Sequence, residues 1–213
     1  MTPNEQSQAA LAVCQLAPVI PVLVIEDIAH ARPLAEALVA GGLPALEVTL
    51  RTDCALDAIA AMAQVDGAVL GAGTVLSAAQ MADASAAGAR FAVAPGATPA
   101  LIDAARLHEL PLLPGAQTCS EVMTLLEQGY SVQKFFPAEA IGGAAALKAI
   151  AGPLPQVTFC PTGGITVARA PDYLSLPNVA CVGGSWVAPK AAMAAGDWTA
   201  ITELARAASR LPR

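Results

Sequence analysis

The chain holds three lysines, and Lys134, in "SVQKFFPAEA", stands where a full charge is hardest to accommodate, in a short apolar-rich run just before Phe-Phe-Pro. Lys148 in "AALKAI" and Lys190 in "VAPKAA" occupy positions where side chains are ordinarily solvated. A lysine taken out of water must find a partner or give up its proton, because desolvation disfavours the ammonium form. The neutral amine is a nucleophile. In apolar surroundings it attacks a ketone, and the resulting Schiff base draws electrons from a neighbouring carbon-carbon bond. In "ALEVTLR" the strand alternation puts Glu47, Thr49 and Arg51 on one face and Leu46, Val48 and Leu50 on the other. A carboxylate beside such an amine moves protons, and a guanidinium holds an anionic group in a charge-assisted fork. Taken alone, the Glu47 strand reads equally well as a buried ion pair tying core layers together, and Lys134 paired with Glu47 is the corresponding structural reading.

Other chemistries lose their usual residues. His30 and His108 fall in or beside helical segments and have no metal-ligand partner at useful spacing. No G-x-S-x-G is present. The five cysteines, Cys14, Cys54, Cys119, Cys160 and Cys181, are odd in number and lack a C-x-x-C, so buried reduced thiols are expected rather than a disulfide framework or a zinc site.

Eight short apolar runs must position these groups. They are "VIPVLVIED", "ALEVTLRT", "AVLGAGT", "FAVAPGA", "LPLLPGA", "SVQKFFPA", "VTFCPTGG" and "VACVGGS", with ends near Ile25, Leu50, Leu70, Ala94, Leu113, Phe136, Cys160 and Val182. Between them lie Ala-rich segments with helical spacing, several opened by a capping type such as Asp53, Thr98 or Thr118. Strand and helix repeated in this way predict an α/β fold, a (β/α)₈ TIM barrel forming one domain over residues 1–213, with an extra helix up to about Ala17 capping its bottom. An open doubly wound sheet is the alternative, but the first run ends in "IEDIAH" with no G-x-G-x-x-G. In a barrel the site lies at the carboxyl ends of the strands. Thr74 in "GAGT" supplies a hydroxyl and open backbone N–H groups at that rim, and Pro95 and Pro114 stiffen the neighbouring turns. Gly163-Gly164 and Gly183-Gly184 end the seventh and eighth runs, where glycine lets backbone amides approach an anion and Ser185 adds a hydroxyl. A helix N-terminus following these turns is expected to add its dipole.

Composition sets the outer limits. A chain of 213 residues with 55% apolar and 13% charged residues has material for an extensive core and a subunit interface. Net charge is -6 with no basic tract, which argues against nucleic acid or an anionic membrane as partner. With no basic region ahead of an apolar one, the reading is a soluble, cytoplasmic protein.

"LEVTLRT", "GAGTVL", "KFFPAEA", "AIAGPLPQV", "FCPTGGI" and "GGSWV", in this order, resemble the 2-keto-3-deoxy-6-phosphogluconate (KDPG) aldolases, a class I aldolase family. The resemblance covers nearly the whole chain. It implies a barrel, usually a homotrimer, that cleaves the phosphorylated keto-deoxy sugar acid to pyruvate and glyceraldehyde 3-phosphate with no cofactor and no metal. It makes Lys134 the Schiff-base lysine and Glu47 the acid/base. It also gives Arg51 and Thr74, with Gly73 beside them, to the pyruvate carboxylate, Pro95, Phe136 and Thr162 to the pocket, and Gly163, Gly164 and Ser185 to the phosphate. The chain departs from the family's usual pattern at "TVARAPDYL", where Thr166 is expected to cap the next helix, and at Ile141, where a polar residue is common. Other substrates open to the same chemistry are 4-hydroxy-2-oxoglutarate and the galactonate epimer. Readings without it are a phosphometabolite-binding barrel and a metal-free isomerase.

Overall fold

The computed structural model describes residues 1–213. Along the chain run the strands β1 (Val19–Leu23), β2 (Ala45–Thr49), β3 (Val69–Gly73), β4 (Phe91–Val93), β5 (Leu112–Leu113), β6 (Gly115–Ala116), β7 (Val132–Phe135), β8 (Thr158–Pro161) and β9 (Val182–Gly184). The helices are α1 (Pro3–Gln15), α2 (Ala31–Ala40), α3 (Ala55–Met62), α4 (Ala78–Ala86), α5 (Pro99–Leu107), α6 (Cys119–Glu127), α7 (Gly143–Ile150), α8 (Ala170–Leu174), α9 (Lys190–Ala195) and α10 (Trp198–Ser209). The fold is α/β with parallel strands. One sheet has the order β5-β4-β3-β2-β1-β9 and the other β6-β7-β8, and isolated parallel bridges pair Thr162 with Gly183 and Phe159 with Val179.

Three expectations about the strands and caps are corrected. The run "LPLLPGA" is two short strands, because Pro114 has no N–H to give to the ladder and divides it. The third run does not stop at Leu70: β3 continues through Gly71 and Gly73. Gly71 is there for space, since a Cβ on it would lie 2.3 Å from the Phe91 ring. Thr98 and Thr118 cap α5 and α6 as expected, but Asp53 caps nothing, and α3 begins after Cys54.

Alternation along the strands sorts the apolar side chains into two clusters. Leu46, Val48, Phe135 and Phe159 join the larger cluster beneath the helices, with the Phe135 and Phe159 rings meeting edge to face at 6.1 Å. Ile20, Ala45, Phe91, Val93, Leu113, Val132 and Cys160 point to the opposite face and form a second cluster with Cys181 and with Ala10 and Cys14 of α1. Each large aliphatic or aromatic side chain buried this way contributes roughly 1.5–3 kcal/mol.

The helix α1 is set across that inner cluster by polar contacts. It starts from a capping box, Thr2 with Glu5, and Pro3 occupies its first turn. Tyr130 donates its hydroxyl to Gln6 Oε1 at 2.8 Å, and Ser7 Oγ accepts from the backbone N–H of Ser131 at 3.0 Å. Gln6, Ser7 and Tyr130 are all buried. Desolvation pushes the Tyr130 phenol up to about 12.

Candidate active site

Lys134 and Glu47 belong to β7 and β2, which lie in different sheets, so their meeting is a contact across the inner face of the fold. Lys134 Nζ lies 3.3 Å from Glu47 Oε1, with the two residues only 4% and 3% exposed. The backbone N–H of Lys134 donates to the carbonyl of Pro114, the residue that divides the fifth run, at 2.8 Å. Lys134 Nζ also stands 5.2 Å from the centroid of the Phe136 ring, within cation–π range. Gly73 makes room for the carboxylate: a Cβ there would come within 2.3 Å of Glu47 Oε1.

Arg51 and Thr74 meet at the strand ends, where Arg51 Nε donates to Thr74 Oγ1 at 3.2 Å. Thr74 has φ +59°, a left-handed backbone that a β-branched residue adopts at a cost of about 1–3 kcal/mol. The strain turns the residue after β3 so that its hydroxyl reaches the guanidinium.

Beside these groups opens a cavity of about 490 Å³, whose lining includes Arg51, Phe136, Thr162, Gly163, Gly164 and Ser185. Lys134, Glu47, Gly73, Thr74 and Pro95 are not in that lining and join the cluster through their contacts. Pro95 is the loosest member: its carbonyl sits so close to Gly115, the register partner of Lys134, that a Cβ on Gly115 would be 2.3 Å away. Thr162 lines the cavity, while its Oγ1 is turned into the interior and has no hydrogen-bond partner.

Gly163 and Gly164 have φ +107° and +79°, and the turn they make is fixed from behind by the segment after β7. Ala138 N–H donates to Thr162 O and Glu139 N–H to Gly163 O, at 2.8 and 3.1 Å. Tyr173 in turn donates to Glu139 Oε1, and burial first, then that bond, raises its phenol above the ordinary range. The N–H groups of Gly163, Gly164 and Ser185 donate to no protein acceptor. The expected helix dipole is absent. The helix α8 starts at Ala170 with no side-chain cap from Thr166, and α9 starts at Lys190, so any anion here is met by loop amides. Ile141 packs against the larger core cluster and is outside the cavity lining.

Two features escape the sequence reading. Lys190 lines the cavity and pairs with Glu26 at 2.6 Å, although both side chains are largely exposed; only the fold brings these residues together, 164 positions apart. The cysteines divide differently from the expectation of buried thiols, since Cys119 is exposed, Cys54 is half-buried and Cys14, Cys160 and Cys181 come together.

A buried amine against a carboxylate, beside a cavity with unpaired amides, defines a site for carbonyl chemistry on an anionic substrate. Residues 11–204 match the family model "KDPG and KHG aldolase". A 2-dehydro-3-deoxy-phosphogluconate aldolase of Pseudoalteromonas atlantica is 57% identical over 90% of this chain and 89% of its own length, and a KHG/KDPG aldolase of Escherichia coli is 53% identical over 94% of each. The crystal structure of a KDPG aldolase from Legionella pneumophila, with pyruvate captured as a covalent carbinolamine, superimposes with a TM-score of 0.90 at 52% identity, over 93% of this chain and 97% of that one. The chain belongs to the KDPG and KHG aldolase family.

Proposed function

We propose that this protein is a class I aldolase that cleaves 2-keto-3-deoxy-6-phosphogluconate to pyruvate and D-glyceraldehyde 3-phosphate, with Lys134 as the Schiff-base residue. The observation that carries the assignment is the buried Lys134–Glu47 pair at 3.3 Å. In its amine form Lys134 adds to the C2 ketone, and Glu47 delivers and removes protons as the carbinolamine loses water. The iminium then draws the electrons of the C3–C4 bond while Glu47, directly or through water, takes the proton of the C4 hydroxyl. Glyceraldehyde 3-phosphate leaves. The enamine is protonated at C3, and hydrolysis of the imine frees pyruvate and Lys134.

Arg51, steadied by Thr74 beside Gly73, holds the substrate carboxylate and so orients the ketone toward the amine. Phe136, Thr162 and Pro95 surround the carbon chain. The free amides of Gly163, Gly164 and Ser185 receive the phosphate, which supports the phosphorylated sugar acid over 4-hydroxy-2-oxoglutarate. The latter is the second reading, favoured by the double name of the Escherichia coli relative.

The same proposal takes the two sheets as one closed (β/α)₈ barrel and residues 1–213 as a single domain. Support comes from β5 and β6, which flank Pro114 as halves of one strand, and from the Thr162–Gly183 bridge linking β8 to β9. We further take the enzyme to be a cytoplasmic homotrimer. No helix is long and apolar enough to cross a membrane, and Leu16, Ile28, Leu76, Leu107, Met123 and Val167 remain as large exposed apolar side chains.

Borohydride reduction in the presence of pyruvate tests the assignment. The expected result is a stable adduct on Lys134, identified by peptide mass, with turnover unaffected by EDTA. A label on Lys148 instead, or activity lost to the chelator, overturns it.

A further inference from the structure

Three thiols that the reaction does not use meet beneath the site. Cys14 comes from α1, Cys160 from β8 and Cys181 from the residue before β9, and their sulfur atoms all lie within 4.8 Å of one another. Cys181 Sγ and Cys160 Sγ are 3.5 Å apart. The three residues are 1%, 3% and 0% exposed, and most of their surroundings are apolar side chains of the inner cluster, among them Ala10, Ile20, Ala45 and Val132; the neighbouring charge, Lys134 beside Cys160, is matched by Glu47. No histidine or carboxylate completes the group.

These facts restrict the occupant. Sulfur ligands select soft, thiophilic ions. Structural zinc takes four ligands in a tetrahedron, and here the protein offers three in a dry setting. Charge then separates the remaining ions, because net charge left in an apolar interior is penalised in proportion to its size. Three thiolates around a monovalent ion keep two negative charges, around a divalent ion one, and around a trivalent ion none.

We propose that Cys14, Cys160 and Cys181 form a three-thiolate site for trivalent arsenic, whose pyramidal coordination needs three ligands and no fourth. Arsenous acid reacts with the three thiols by exchange. Three S–H and three As–O bonds break, three As–S bonds form, and each hydroxide leaves as water with one thiol proton. No oxidation state changes. Entry requires α1 to lift from its seat on Tyr130 and Ser131, so uptake is slow in the native protein and quickens under mild urea. Once bound, the ion fastens α1 to the strand that pairs with Lys134 at Cys160.

The reduced full-length protein is titrated with arsenite and followed by native mass spectrometry and thermal melting. The expected outcome is one arsenic per chain, with a mass gain of one arsenic less three hydrogens, and a raised Tm. Replacing Cys14, Cys160 or Cys181 singly by Ala weakens binding at least about tenfold, while the Cys54→Ser/Cys119→Ser double variant binds as the parent does. Cys14→Ala changes only the terminal helix, so it serves as the test if either strand variant fails to fold. An adduct that survives Cys14→Ala, or one that needs Cys119, overturns the site. Cu(I) or Zn(II) bound in preference to arsenite with the same cysteine dependence overturns the trivalent assignment.

Discussion

The two ends of the strands use the same inward faces for opposite purposes. Along β7 the face runs from Val132, inside a sealed apolar cluster, to Lys134 and then to Phe136 at an open cavity. Along β2 it runs from Ala45 to Glu47 and Thr49, and along β8 from Cys160 to Thr162. The lower end is closed by α1, its thiols lie among apolar side chains and its other polar groups, Gln6, Ser7 and Tyr130, are taken up in seating that helix, whereas the upper end holds an ion pair, an unpartnered hydroxyl and free amides. Sealing the lower end keeps water from the amine, and opening the upper end admits a substrate. A substitution should therefore touch either stability or turnover according to how many residues along the strand it lies.

The largest departure from that rule's upper half is expected for Lys134→Ala, which should remove nearly all pyruvate formation in a coupled assay while circular dichroism stays native. Its Tm should fall, because Glu47 is left buried without its partner. Glu47→Gln should lower kcat by about 10²–10⁴-fold and also lower Tm, since Lys134 is left buried without its carboxylate. Gly73→Ala tests spacing alone, since the added Cβ displaces the carboxylate, and a kcat loss on the order of 10²-fold is expected. At the lower end Phe91→Ala should cost about 3–5 kcal/mol in urea unfolding and leave KM unaltered. A loss of turnover in the folded Phe91 variant would break the division.

The smallest expected effect is a pH dependence of the lower end. The Tyr130 phenol is pushed up to about 12 in the folded chain, against about 10 when unfolded. Below pH 10 both states keep the proton. Between the two values only the folded state does, so stability declines with rising pH by at most about 1.4 kcal/mol per unit. Tyr130→Phe should flatten that slope in melts taken between pH 10 and 12.

Much of this was legible in the residues because period and chemistry agreed. The alternation in "ALEVTLR" put Glu47 and Arg51 on one face, and the lone strand lysine gave Glu47 a partner 87 positions away. The rest depends on distances that a linear pattern does not contain. The strained backbone of Thr74 looks like any threonine after a glycine. In the sequence Pro114 reads as a turn residue, though its carbonyl stays in the ladder and only its missing N–H divides the strand. The cysteines looked scattered because α1 brings Cys14 across the fold to its partners. The Lys190–Glu26 pair joins residues from opposite ends of the chain, each of which reads as ordinary surface.

The seat of α1 has a bearing on how the chain assembles. Gln6 and Ser7 are made well before their partners Tyr130 and Ser131, which lie 124 positions later, and the carbonyl of Gln15 accepts from Arg213, 198 positions on. The helix α1 thus cannot dock until the segments that seat it have followed. Such long-range closure slows folding, and until it happens the inner cluster stands open at its base, a surface that a nascent chain must keep from its neighbours.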